Sequence, residues 1–170
     1  FQAGLDYSLY QNGLFRTYAY PPQFNSANLS IRSFVNRGPE KVIGSRDGLF
    51  YINEATGIVK SFVKPVLTSD LILTICFYEG EYYIGTYGGG MMVLNPQTLS
   101  LKYFTQGDTE LFQKGHIFCV KPDNRGNLWI GTSQGLFCYN GQTKQIKNFT
   151  STNSQLPEGN VYEVSFDSTG

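Results

Sequence analysis

Few residues in this chain have the type and spacing for covalent chemistry. His116 is the one histidine among 170 residues. No second His, no neighbouring Cys and no acidic orienter in register accompanies it, so it reads as a polar rim residue rather than a general base or a metal ligand. Carboxylates pair at Glu79/Glu81 and Asp108/Glu110, both in turn-like stretches. A glycosidase needs two of them across a cleft, roughly 5–9.5 Å apart, and nothing in the sequence sets them so. Cys76, Cys119 and Cys138 lack metal-type spacing and read as buried free thiols. No catalytic residue, metal or cofactor is therefore expected. Binding chemistry remains. Arg46, Asp47, Tyr87, His116 and Gln134 offer charged, aromatic and amide groups, and sugars present hydroxyls and apolar ring faces together. These five are the candidate ligand-binding residues, with an oligosaccharide as the ligand class. Trp129 tempts as a stacking platform, but its mid-strand place, matched by Tyr83 and Tyr7, points to packing.

The elements that must position these residues recur. Gly126 to Asn140 holds two apolar runs, Leu128–Ile130 and Leu136–Tyr139, around a short polar hinge with glycine. That is a hairpin signal. Glu81–Thr86 with Gly90–Asn95 repeats it, Lys41–Asn53 repeats it again, and Gly4–Phe15 is a worn copy. Pivot glycines Gly44, Gly85 and Gly131 stand about 41 and 46 positions apart, near the roughly 40–50-residue period of propeller blades. A further apolar run precedes each hairpin and another follows it. Four strands per repeat, short turns and no helical stretch describe an all-β chain, a β-propeller of about four four-stranded blades.

The propeller segment spans 1–170. It holds a blade remnant at 4–20 expected to supply strands two to four, then a Pro21-Pro22 linker. Blades follow at about 29–62, 71–104 and 116–149, with the first strand of a next blade at 160–167. Residues 159–170 align without gaps on 115–126, so the repeats are cut out of phase with the blade. Two readings stay open: closure as a small four-bladed ring, or a piece of a larger propeller, which we favour. Because each repeat buries its faces only against neighbours, ring closure or association with another copy is expected. In such a fold the loops joining strands two to three and four to one share a face. Arg46-Asp47, Tyr87 and Gln134 fall there, and His116 enters its strand from that side.

Thirteen basic and thirteen acidic residues cancel, and no Lys/Arg cluster appears. Nucleic acid is an unfavoured partner. No apolar run reaches bilayer-spanning length, so membrane contact by this segment is not expected. Aromatics at 15% suit pleated, half-buried surfaces.

The third repeat, His116–Asn140, carries Asp, Gly-Asn-Leu-Trp-Ile-Gly-Thr, Gly-Leu and an aromatic followed by Asn. It resembles the two-component regulator propeller repeat. The resemblance is close there and fair in the second repeat, where Tyr83 replaces Trp and Gly88-Gly89-Gly90 lengthens the hinge. It is looser in the first whole repeat, where Val42 replaces Trp, and poor at 4–20, where Leu9 replaces the pivot glycine. It implies a part of a seven-bladed propeller in the periplasmic sensor of a Bacteroides-type hybrid histidine kinase, sensing oligosaccharides released from glycans and signalling as a dimer. The kinase itself would lie elsewhere in the parent protein. A protein-interaction propeller, and less so a propeller lyase or hydrolase, are the alternatives.

Overall fold

The structure, a computed structural model, describes residues 6–11, 14–19, 30–107 and 109–167. The expected linker at 21–26 and Asp108 lie outside them. The chain forms two compact units, 1–30 and 31–170. In the first, β1 (Asp6–Gln11) pairs antiparallel with β2 (Leu14–Ala19), Asp6 opposite Ala19. Among the described residues of 4–20, two strands stand where three were expected. Leu14-Phe-Arg-Thr-Tyr-Ala19 contains no Gly, Pro or Asn to break it, so it runs on as one strand.

The second unit holds three four-stranded antiparallel sheets, each in simple meander order. Blade one is β3 (Ile31–Arg37), β4 (Glu40–Ser45), β5 (Leu49–Asn53) and β6 (Ile58–Phe62). Blade two is β7 (Ile72–Tyr78), β8 (Glu81–Thr86), β9 (Met91–Leu94) and β10 (Leu101–Tyr103). Blade three is β11 (Ile117–Pro122), β12 (Asn127–Thr132), β13 (Gly135–Asn140) and β14 (Gln145–Phe149). The first strands of the three blades neighbour one another in turn. One core of Val42, Leu49, Tyr51, Ile72, Tyr82 and Ile84 lies between blades one and two; another, of Tyr78, Tyr83, Phe104, Phe112, Leu128 and Tyr139, lies between blades two and three.

The repeated residues have repeated work. After each pivot glycine a fully buried hydroxyl latches the hinge: Ser45 Oγ donates to the Gly48 carbonyl, Thr86 Oγ1 to Gly90 and Thr132 Oγ1 to Gly135, at 3.1, 2.9 and 2.9 Å. Asn53, Asn95 and Asn140 each accept two backbone N–H groups through Oδ1, closing the turn between strands three and four. The pivot glycines themselves make room for the next blade. A Cβ on Gly44 would strike Ile72 Cγ2, and one on Gly85 would lie 2.7 Å from Ile117 Cγ2. Beside them, Ser33 Oγ accepts the Ile75 N–H at 2.9 Å and Thr74 Oγ1 accepts that of Val120 at 3.3 Å. Each blade's first strand is thereby spaced and hydrogen-bonded to the next.

Two further features depart from the sequence reading. A short helix, α1 (Thr109–Lys114), precedes β11. Leu111 and Phe112 are fully buried on it, Phe112 against Phe104 and Phe137 at 5.0 and 5.3 Å between ring centroids. Burying those two side chains outweighs the weak propensity of so short a helix. The widened Gly88–Gly90 hinge is its counterpart, since a Cβ on Gly90 would strike the Phe112 carbonyl. The second departure is 160–167, expected as a strand. It has no ladder partner among the described residues. It nevertheless lies on blade three as a first strand should. Val161 donates its N–H to Thr132 O at 3.0 Å and its carbonyl lies 2.5 Å from where a Cβ of Gly131 would be. Val164 N–H bonds Cys119, the residue that matches Ser33 and Thr74.

All three cysteines are free; Cys76 and Cys119 are buried and Cys138 is half-buried. Burial pushes the Cys76 thiol up to about 12, which keeps it protonated and unreactive.

Candidate functional site

Tyr87 and His116 meet. Their rings stack at 4.0 Å between centroids with planes 30° apart. Tyr87 is 51% exposed because its hinge holds it out from the rim. Ser69 Oγ donates to the Tyr87 carbonyl at 2.8 Å, Thr68 Oγ1 to the Gly89 carbonyl at 2.6 Å, and the Tyr87 N–H bonds Leu71 O. The hinge backbone is thus satisfied and fixed before any ligand arrives, which lowers the entropic cost of binding. Gly88 supplies the left-handed φ of 76° that the hinge needs next to the imidazole; a Cβ there would only touch His116 Cε1, at 3.6 Å. His116 Nδ1 is buried without a hydrogen-bond partner among the described residues.

The stack continues through residues that sequence reasoning missed. His116 faces Phe118 at 6.1 Å and 29°, and Phe118 meets Tyr162 at 4.6 Å. Phe118 sits at a bulge in β11, between Ile117 and Cys119. The first strands of blades one and two bulge at the matching places, Arg32 and Leu73. A bulge re-aims one side chain out of the alternation, and strand periodicity alone does not reveal it. The clue available was alignment, since Phe118 and Tyr162 occupy equivalent positions in the repeat.

The other expected residues are not drawn into this stack. Gln134 lines a separate cleft of about 260 Å³ with Thr150, Ser151, Pro157 and Glu158. Its hinge still abuts the site, because the Ser133 N–H bonds His116 O at 3.2 Å. Arg46 and Asp47 are exposed in the blade-one hinge, where the Asp47 N–H bonds Ser45 Oγ. Trp129 packs on Phe149 and Phe166 and donates Nε1–H to Asp123 Oδ2 at 2.9 Å. Asp123 also accepts from Asn127 and the Arg125 N–H. Burial opposes its ionisation, but those hydrogen bonds prevail and hold it at about 2.

A groove of about 410 Å³ between blades two and three is walled by Tyr83, Tyr103, Phe104 and Tyr139 and rimmed by Lys102 and Lys144. Both lysines are engaged, Lys102 with Glu81 at 3.1 Å and Lys144 with Glu79 at 3.7 Å. Among the described residues no group of three His, Cys, Asp or Glu could hold a metal ion, and no helix is long and apolar enough to cross a membrane.

Comparison with known proteins follows the same lines. A family model described as two component regulator propeller matches residues 112–134. No curated protein matches. Among solved structures, the extracellular domain of a hybrid two-component system from B. thetaiotaomicron is 29% identical, with a TM-score of 0.58 over 86% of this chain and 20% of that one. A second such domain from that organism is 22% identical, with a TM-score of 0.61 over 79% and 19%. A β-propeller domain of Cps50 (Swd1) from Myceliophteria thermophila is 14% identical, with a TM-score of 0.58 over 87% and 53%. The chain spans about one fifth of the two bacterial domains. Residues 112–134 thus match the two-component regulator propeller repeat, within an all-β chain of propeller blades.

Proposed function

We propose that this chain is part of the extracytoplasmic, periplasmic sensor of a hybrid two-component histidine kinase, and that it recognises an oligosaccharide without chemically altering it. The observation that carries the ligand reading is the Tyr87–His116 stack on a hinge whose carbonyls are already hydrogen-bonded. A pre-set aromatic pair with a half-exposed face suits the apolar side of a pyranose ring, while the Tyr87 hydroxyl and the imidazole supply polar contacts. The likeness to extracellular two-component domains supports the sensor and its location. Isothermal titration of the chain against an oligosaccharide panel tests this. A saturable heat that Tyr87→Ala and His116→Ala each abolish is expected; an unchanged affinity in both variants would defeat the site.

A second reading, self-association, has its own observation. β13 alternates between buried and half-buried residues, unlike the fully buried β9 of blade two. Trp129, Leu136 and Cys138 therefore leave one face of blade three partly open. Light scattering across a concentration series tests it, and a mass that stays at one chain throughout would exclude it.

A further inference from the structure

The two blade interfaces treat their tyrosine hydroxyls differently. Between blades one and two, Tyr51 and Tyr82 both donate to the Glu40 carboxylate at 2.8 Å. Tyr78, at the end of β7, donates to Gly126 O and accepts the Gly141 N–H, each at 2.8 Å. Tyr83 and Tyr139 do nothing of the kind. They are only 5% and 4% exposed, yet neither hydroxyl has a hydrogen-bond partner among the described residues. Both residues line the groove of about 410 Å³ between blades two and three. Among the described side chains only His116 Nδ1 is both sealed from solvent and unpartnered, so the two phenol oxygens open on that groove. Thr105 and Gln106 line it as well, and their side chains are likewise free of hydrogen bonds to described residues.

From these uncommitted groups we propose that the groove is a second binding site, one that takes a neutral sugar unit whose hydroxyls bond Tyr83 and Tyr139. Its volume is that of a small-ligand pocket. Hydroxyl and amide groups that both donate and accept match the hydroxyls of a pyranose, while Val93 and Phe104 in the wall meet its carbon skeleton. The rim charges cancel, because Lys102 lies 3.1 Å from Glu81 and Lys144 lies 3.7 Å from Glu79. A ligand carboxylate would meet those two glutamates and a ligand ammonium those two lysines, so a net charge gains nothing there. Burial foremost, with Tyr139, Glu81 and Glu79 nearby, raises the Tyr83 hydroxyl above the ordinary tyrosine range, and it remains a neutral donor. The groove shares no residue with the Tyr87–His116 stack, so the two sites stand or fall separately.

The test titrates the full chain carrying Tyr87→Ala, which removes the hinge site, so that the remaining heat reports the groove. The probes are maltose, cellobiose and lactose, with glucuronic acid and glucosamine as charged counterparts and phenol as a ring without sugar hydroxyls. A neutral disaccharide should bind saturably, and adding Tyr83→Phe or Tyr139→Phe should each weaken it about three- to tenfold. Each of these two changes removes one oxygen that bonds nothing in the described protein, so urea midpoints should stay where they are. A clear fall in the midpoint would mark a structural hydroxyl and overturn the assignment. Disaccharide binding untouched by both Phe variants would overturn the groove. Binding of a charged sugar or of phenol in place of the disaccharides would overturn the neutral-sugar class. Heat from no disaccharide would overturn the proposal as a whole, while the oligosaccharide panel on the native hinge decides the first site independently.

Discussion

The two blade interfaces use one backbone device and different side-chain chemistry. At both, a pivot glycine receives an isoleucine from the next blade, Ile72 on Gly44 and Ile117 on Gly85, and a hydroxyl takes the N–H three residues further on. Outside that shared strip they diverge. Between blades one and two, Glu40 accepts hydrogen bonds from Tyr51 and Tyr82, each at 2.8 Å, while Arg37 lies 3.3 Å over the Phe77 ring. Between blades two and three the corresponding space holds Tyr78, Phe104, Phe112, Phe137 and Tyr139 edge to face, with α1 as a plug. The strip fixes spacing and register; the rest only has to fill the wedge, so it can be ionic in one place and aromatic in another.

The largest effect should come from removing the plug. Phe112→Ala leaves a cavity ringed by Phe104 and Phe137 and is expected to cost about 3–5 kcal/mol in urea unfolding. A loss under about 1 kcal/mol would mean that α1 merely rests on the blades. Next come the pivots. Gly44→Ala and Gly85→Ala each force a methyl against a packed isoleucine, at about 1–3 kcal/mol apiece. Similar losses would confirm a shared device, and a neutral result at one interface would break the comparison. Smaller again is Glu40→Gln, which keeps an acceptor for one tyrosine but removes the charge that pairs with Arg37 at 3.4 Å. About 1 kcal/mol is expected. A larger loss at this site than from Phe112→Ala would reverse the ranking of the interfaces.

The legible parts of this molecule are those that the backbone demands in every copy. Gly44, Gly85 and Gly131 could be read because no other residue leaves room for the neighbouring strand, and Asn53, Asn95 and Asn140 because the same turn needs the same acceptor. The helix at Thr109–Lys114 was not legible. Six residues give no helical periodicity, and its reason for existing, the buried Phe112, is tertiary. Of the site, Tyr87 and His116 were readable as polar or aromatic exceptions in hinge and strand-entry positions. Phe118 and Tyr162 were not, since in plain alternation they pass for ordinary strand residues, and the bulge at Phe118 and its ring contact with Tyr162 are tertiary facts. Arg46, Asp47 and Gln134 keep their expected hinge positions but lie apart from the stack, since a shared loop position does not by itself bring side chains together.

The smallest expected effect lies on the open side of blade three, away from both interfaces. The Asp123 carboxylate is held at about 2, below its ordinary 3.8, because burial is outweighed by donors from Asn127, Trp129 and Arg125. A carboxyl depressed on folding stabilises the native state above its unfolded pKa and ceases to do so as pH falls through the folded one. Stability should therefore be level above about pH 4 and decline towards pH 2 by a modest amount, since the group is partly solvated. Trp129 is the only tryptophan and donates directly to this carboxylate, so its fluorescence follows the protonation locally while urea midpoints follow it globally. Asp123→Asn should flatten both responses. If the variant keeps the full acid dependence, the assignment of that dependence to Asp123 fails.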